Sequence, residues 1–434
     1  MKQCPALLIA APASGQGKTT VTAALARFHR NQGLKVRVFK VGPDFLDPMI
    51  LEQASGHPVY QLDLWMSGQA HCQKLLYEAA IAADLILIEG VMGLFDGEPS
   101  SADLAIAFNI PISIVIDATA MAQTFGAVVH GLTTFNPSCR IVSVLANQVA
   151  GPVHAELIRE SMPCDLPCFS VLPRQTSSQL PSRHLGLVQA NQINELEQSL
   201  EQFAKDLSRT DICQLPPCVT FKMPSSEFDL SKYDSQTTVK NLRVAVASDL
   251  AFSFIYQANL DLLRSMGARL TFFSPIADAK LPEADSLYLP GGYPELHLDE
   301  LAANQSMHES IHAHYEADKP IVAECGGMLY LLSSLTDCHG KTRNLLNLFP
   351  GRAIMKPHLV NLGMHSADFA QGELRGHTFH YSQLETAIQP LALTQPVGKG
   401  LRPEAVFRLG NMTTSFMHWY MPSNPVAAAA LFSS

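Results

Sequence analysis

Two short stretches of the chain carry residue types whose spacing could do chemistry. AECGGMLY, Ala323 to Tyr330, sets a cysteine between an acid and two glycines, directly after the apolar run Pro320-Ile321-Val322. A strand that turns sharply into a helix thrusts the turn residue into a cleft, and glycines keep the space around it open, as in the serine version of that elbow. A thiol placed there, at the positive end of a helix dipole, ionises more readily and becomes a nucleophile. A buried free cysteine at a strand end fits the same letters, so the turn alone does not decide. Far downstream, SFMHWYMPSNP supplies His418, and a thiol nucleophile takes its base or cationic partner from a distant part of the chain. With 16 histidines in the chain, any one of them taken singly is as readily structural. LYLPGGYPEL places Gly291-Gly292 after a strand, where exposed backbone N–H groups would stabilise an oxyanion. The ordered series PGG, ECGG and a late histidine is more specific than its parts.

The other stretch is IAAPASGQGKTTVTAAL near the N-terminus. A strand ends near Ala10, a loop holds Gly15 and Gly17, and Lys18-Thr19 open a helix. Backbone N–H groups of such a loop bind polyphosphate together with the helix N-terminus, the lysine neutralises it, and the hydroxyl holds magnesium. Pro12 stands where the common pattern has its first glycine. Two acidic loops support this reading. VGPDFLDP carries Asp44 and Asp47 after the second strand, and LILIEGVMGLFDG carries Glu89 at a strand end with Asp96 beyond it. In an open parallel sheet such loops meet at the carboxyl ends of the strands, where ligands bind. Asp44 and Glu89 are placed to supply magnesium with carboxylates, and Lys40 to offer a second positive charge to a γ-phosphate. Asp47 and Asp96 also read as turn or cap residues.

The elements that must position these residues follow from the apolar pattern. Strands are expected at Ala6–Ala10, Val36–Val41, Leu85–Ile88, Ile112–Ile116, Ile141–Leu145 and Phe169–Leu172, with helices such as Thr19–Gln32 and Ala70–Ala83 between them. That alternation is the signature of a parallel sheet covered on both faces. From Gln214 to Asn241 the periodicity fades into a stretch rich in proline, serine and threonine, which reads as a linker. A second alternation follows, with strands at Arg243–Ala247, Leu270–Phe273, Ser286–Leu289 and Pro320–Ala323 and a helix through Asn259 to Met266. The expected organisation is two α/β domains, residues 1–213 and 242–434, joined by a linker at 214–241.

Bulk properties exclude several classes. Across 434 residues, 47% are hydrophobic and 16% charged, enough to bury large cores. A net charge of −9 without a basic run argues against nucleic-acid binding. No 18-residue apolar span or signal-peptide pattern occurs, so no membrane role is expected. Nine scattered cysteines without paired metal-type spacing fit a reducing cytoplasm.

The combination resembles a class I-type glutamine amidotransferase fused behind a P-loop, dethiobiotin-synthetase-like domain. Over essentially the whole chain it is similar to the cobyrinic and hydrogenobyrinic acid a,c-diamide synthases. The matching stretches are AAPASGQGKTTVT, FKVGPDFLDP, LDLWM, EGVMGLFDG, SRHLGL, LPGGYPEL, ECGGMLYL and RGHTFHYS, with His418. The resemblance implies ATP bound by Ser14, Gly15, Gly17, Lys18, Thr19, Thr20 and Lys40, with Asn147 at the adenine. It implies Mg2+ on Thr19, Asp44 and Glu89, and Asp47 and Asp96 near the substrate. Asp44 and Glu89 fall in catalytic positions of the synthetase half. Cys325 becomes the glutaminase nucleophile with His418 as its partner, and Gly292 and Gly326 the oxyanion donors. The implied partners are a corrinoid and L-glutamine, and a homodimer is left open. Rival readings are an amidoligase acting on another tetrapyrrole, such as a nickel-sirohydrochlorin, and a regulatory P-loop ATPase with a non-catalytic C-terminal domain. One departure stands out: ordinary class I glutaminases carry a glutamate two residues after the histidine, and here that position is Tyr420.

Overall fold

A computed structural model describes residues 1–162, 168–174, 196–224, 239–398 and 400–433. The chain forms two compact units, Met1–Phe228 and Asp229–Ser434. In the first, β1 (Lys2–Ala10), β2 (Val36–Val41), β3 (Tyr60–Leu62), β4 (Leu85–Glu89), β5 (Ile112–Asp117), β6 (Ile141–Val149) and β7 (Phe169–Pro173) run parallel in the order 3-2-4-1-5-6-7. The central strands are buried on both faces; LILIE of β4 has no exposed residue. Continuous apolar runs of this kind have both faces covered by helices, as the sequence predicted. One such helix, Leu196–Leu207, buries Leu196, Leu200, Phe203, Ala204 and Leu207 at helical spacing. Its Glu197 and Glu201 hold Arg27 of the helix Lys18–Asn31 at 2.7 and 2.9 Å.

Strand order decides what meets at the carboxyl edge. β1 lies between β4 and β5, and β2 pairs with β4 so that Lys40 stands beside Glu89. The loops after β1, β2 and β4 therefore open on one side of the sheet, as a doubly wound topology requires. The stretch 214–241 differs from its expected linker reading. Cys218–Phe221 forms a strand, β8, antiparallel to Lys2–Pro5 of β1. It alternates exposed and buried residues, a period-2 pattern that the flanking prolines obscure.

The second unit is built on β9 (Arg243–Ala247), β10 (Arg269–Phe273), β11 (Ser286–Leu289) and β12 (Ile321–Glu324), parallel in the order 10-9-11-12. The strand Met412–Ser415 pairs parallel with β12, and antiparallel strands extend that edge. Between Leu332 and Trp419 lie two further four-stranded sheets that the apolar pattern did not announce. One contains the hairpin Asn361–Phe369 with Gly372–His380, whose second strand pairs antiparallel with Met417–Trp419. These strands carry polar and histidine residues on their buried face, which hides them from a hydrophobicity reading.

Candidate active sites

The loop after β1 is shaped by Gly15 and Gly17, both at positive φ, and Gly17 caps the helix Lys18–Asn31 in the left-handed region. A Cβ on Gly17 would lie 2.4 Å from Asn147 Nδ2, so only glycine admits the close approach of β6. Asn147 Nδ2 donates to the Gln16 carbonyl at 3.0 Å and the Asp117 N–H donates to Gln16 Oε1 at 2.8 Å, pinning the loop to two strand ends. The first helical N–H groups have no intrahelical partner, which leaves an anion cradle at Lys18–Thr20. Ser14 and Gly15 form the exposed crown of the loop. Beside it lies a cavity of about 470 Å³ lined by Gly15, Gly17, Thr20, Asn147, Arg174 and Asp206, a volume suited to a nucleoside. The structure thus brings the phosphate loop and Asn147 to one cavity. SRHLGL lies outside the described residues.

The acidic loops converge on the same edge. Thr19 Oγ1 donates to Glu89 Oε1 at 2.7 Å. Lys40 Nζ sits 2.7 Å from Asp47 Oδ2, 3.0 Å from Glu89 Oε1 and 3.5 Å from Asp44 Oδ2. Lys40, Asp47 and Glu89 are all buried. Three formal negative charges face one positive charge where solvent screens little. At an effective dielectric near 20 each contact gains roughly 4–6 kcal/mol, against several kcal/mol of desolvation per ion. Lys40 therefore holds the acids in place, rather than standing free to meet a phosphate. Asp47 is buried against Lys40 and positions that ammonium, because a carboxylate taken out of water needs a paired cation. Asp96 is exposed, and its Oδ2 accepts from the Gly93 N–H at 2.9 Å, so it shapes the loop after β4. That loop folds over the cradle: Leu94 N–H bonds to Ala11 O, and Lys18 Nζ donates to Met92 O at 2.6 Å.

The residues here fit a magnesium ion. Glu89 Oε2 is buried without a hydrogen-bond partner among the described residues. Asp44 keeps part of its carboxylate open to solvent while Oδ1 caps Leu46 and Asp47. Two carboxylates, one hydroxyl and nucleotide phosphates make an all-oxygen set of the kind magnesium takes, without a dedicated protein cage.

In the second unit, Cys325 follows β12 and caps the helix Gly326–Leu331 with φ 45°, ψ −104°. A non-glycine residue held at positive φ is strained, and the elbow expected from ECGG is the reason for it. Cys325 N–H is tied to Ser415 O at 2.7 Å, so the strand three residues before His418 runs alongside the elbow. Gly291 and Gly292 fill the space between them. A Cβ on Gly291 would lie 2.2 Å from His418 Cε1, and one on Gly326 would lie 2.8 Å from Gly292 N. Gly292 therefore stands beside Gly326, the residue that follows the thiol.

This site is dry. Burial, and then Glu295, push the Cys325 thiol far above its ordinary value, while the Gly326 N–H pulls the other way. Burial, then His377 and His380, push His418 well below its ordinary value. Thiol and imidazole thus both rest neutral. Glu295, in LPGGYPEL, is itself raised to about 7 by burial. Glu324, just before the elbow, is raised to about 8 by burial and accepts from Tyr288 OH at 3.0 Å and Trp419 N–H at 3.3 Å. Tyr420, in place of the usual glutamate, is fully buried edge-on against Tyr256. Sequence reasoning missed Glu295, Tyr256 and His377. The first lies in LPGGYPEL and the last in RGHTFHYS, but their spacing does not single them out.

Comparison with known proteins gives each unit a family match. Residues 7–188 match the CobQ/CobB/MinD/ParA nucleotide binding domain, and residues 243–426 match the CobB/CobQ-like glutamine amidotransferase domain. The chain is 55% identical over 430 residues, 99% of each chain, to the hydrogenobyrinate a,c-diamide synthase of Stutzerimonas stutzeri. It is 55% identical over 432 residues to the enzyme of that name from Pseudomonas aeruginosa, covering 99% of this chain and 98% of the other. The chain belongs to the a,c-diamide synthase family. A more distant member, the cobyrinate a,c-diamide synthase of Herminiimonas arsenicoxydans, is 47% identical over 428 residues, 98% of this chain and 96% of its own. Among the described residues no helix is long and apolar enough to cross a membrane.

Proposed function

We propose that this protein amidates the a- and c-side-chain carboxylates of a corrin ring in cobalamin biosynthesis, using ATP and glutamine. The observation that carries this reading is full-length identity of 55% to two hydrogenobyrinate a,c-diamide synthases, with residues for both half-reactions in place. A carboxylate is a poor electrophile, so the synthetase unit transfers the γ-phosphoryl group of ATP to it, giving ADP and an acyl phosphate. Lys18 and the loop N–H groups cradle the phosphates, and Asn147 and its neighbours take the adenine. Thr19, Asp44 and Glu89 would hold magnesium, which neutralises charge on the transferring group. Lys40, fixed by Asp47, bridges those two acids.

In the glutaminase unit the Cys325 thiol passes its proton to His418 as sulfur attacks the glutamine carboxamide carbon. The N–H groups of Gly292 and Gly326 receive the oxyanion. The C–N bond breaks, ammonia leaves with the proton, and water later hydrolyses the thioester to glutamate. Ammonia displaces phosphate from the acyl phosphate, leaving the amide; two rounds give the diamide. The reading places the synthetase chemistry in residues 1–213, the glutaminase in 242–434, and the protein in the cytoplasm. Because both relatives at 55% identity are named for hydrogenobyrinate, the metal-free ring is the proposed substrate. The test is product mass after incubation with ATP, magnesium, glutamine and either the metal-free or the cobalt-containing acid. Two successive mass changes of carboxylate to amide on the metal-free acid support the reading. ATP hydrolysis without any amide product on either acid would instead favour a regulatory ATPase.

A further inference from the structure

We propose that His377 is the positioning residue that takes the place of the missing triad glutamate, holding the imidazole of His418 for proton exchange with Cys325. The strand Gly372–His380 pairs antiparallel with Met417–Trp419, and the register sets His377 directly opposite His418. Side chains opposite each other in such a pair point to the same face and touch. The two rings stack with centroids 4.9 Å apart and planes inclined by 19°. The His418 ring also leaves no room for a Cβ at Gly291, and Phe254 lies at 6.1 Å. The ring is thus packed against a glycine turn and another imidazole. His377 is fixed in turn: its Nδ1 meets the Tyr256 hydroxyl at 2.8 Å, and Tyr256 packs edge-on against Tyr420 at 5.4 Å. Tyr420, the residue that replaces the glutamate in sequence, therefore supports the residue that replaces it in space.

A stacked ring does more than fix a plane. When the thiol proton moves to His418, the imidazole becomes a cation, and the π face of a neutral ring stabilises a cation lying over it. Burial and the neighbouring His365 push His377 down to about 3, so its ring stays neutral, and burial is the larger cause of the lowering at His418. The proton then leaves on ammonia as the C–N bond breaks, and His418 returns to its neutral form.

This inference rests on Cys325 and His418 being the glutaminase pair, and the experiment separates the two. In the full-length protein, glutamine hydrolysis and ammonium-supported amide synthesis are measured for Cys325→Ser, His377→Gln, His377→Phe and Tyr256→Phe, and iodoacetamide alkylation of Cys325 for the last three. His377→Gln, which loses the flat ring, should lower kcat for glutamine by about 100-fold with little change in KM. Alkylation should slow in parallel, while ammonium-supported synthesis is unchanged. His377→Phe keeps the ring and should recover to within about tenfold of the parent. Tyr256→Phe should fall between His377→Phe and the parent. A His377→Gln enzyme with parental kcat, a defect confined to KM, or equal losses in the Gln and Phe variants would overturn the positioning role. Undiminished glutamine hydrolysis in Cys325→Ser would overturn the pair itself.

Discussion

The two sites solve opposite electrostatic problems. At the carboxyl edge of the first sheet, Lys40 is buried among Asp44, Asp47 and Glu89, and formal charge is kept because the reaction moves a polyanionic group. Around Cys325, the ionisable groups are pushed toward their neutral forms by burial, because that reaction moves one proton between a thiol and an imidazole. The first site gains from fixed charges that need not reorganise; the second gains from excluding water until a substrate carboxamide arrives. The contrast teaches how each half should fail: the first through loss of charge, the second through loss of geometry.

The largest effect is expected in the first site. Lys18→Ala removes the cation of the cradle and should lower amide synthesis by about 1,000-fold. Glutamine hydrolysis should remain measurable, because Cys325 and its partners lie in the other unit. Near-parental synthesis at saturating ATP would mean that the loop does not bind the reacting phosphates. Next comes Lys40→Met, which strands three buried or half-buried carboxylates. It should destabilise the first unit by about 3–5 kcal/mol, readable as an earlier denaturant midpoint. A parental midpoint would show that the acids do not depend on this ammonium.

The phosphate loop was legible because its glycines, lysine and threonine act within one turn of chain, where spacing fixes geometry. The elbow at Cys325 was legible for the same reason. The pairing of Asp47 with Lys40 was not legible, because it is set by the packing of the helix Leu46–Ser55, which letters do not display. His377 and Tyr256 became visible only through strand register, since an antiparallel pairing between distant segments brings them to His418. The strand Cys218–Phe221 was hidden by prolines on its flank, and the sheets after Leu332 by histidines and polar residues facing inward.

A smaller effect sharpens the second half of the contrast. Burial pushes the Glu295 carboxyl up to about 7, and its charge is the next cause after burial that raises the Cys325 thiol. Below that pH it carries a proton and does not oppose the thiolate; above it, the carboxylate does. Glu295→Gln should therefore match the parent in iodoacetamide alkylation of Cys325 at pH 6 and react faster at pH 8, by up to about tenfold. Equal rates at both pH values would remove Glu295 from the electrostatics of the thiol. The smallest effect belongs to a partly exposed pair outside both sites. Arg243 Nη2 and Nε bind Asp285 at 2.6 and 3.0 Å, lowering that carboxyl from 3.8 to about 2. Its folded value is depressed, so its stabilisation is present above pH 4 and is lost as the pH falls toward 2. Asp285→Asn should cost about 1 kcal/mol or less at pH 7, with the difference vanishing near pH 2. A difference that persists at pH 2 would assign the effect to packing.

The most direct test of two separate chemistries is Cys325→Ser, assayed as amide product per minute with glutamine and with a high concentration of ammonium. A hydroxyl held at the elbow is a far weaker nucleophile than a thiolate, so glutamine-supported synthesis should vanish. Ammonium-supported synthesis should stay at the parental rate, since free ammonia reaches the acyl phosphate without the glutaminase. Loss of both activities in a folded Cys325→Ser protein would place the cysteine in the synthetase chemistry and contradict the division of labour between the two units.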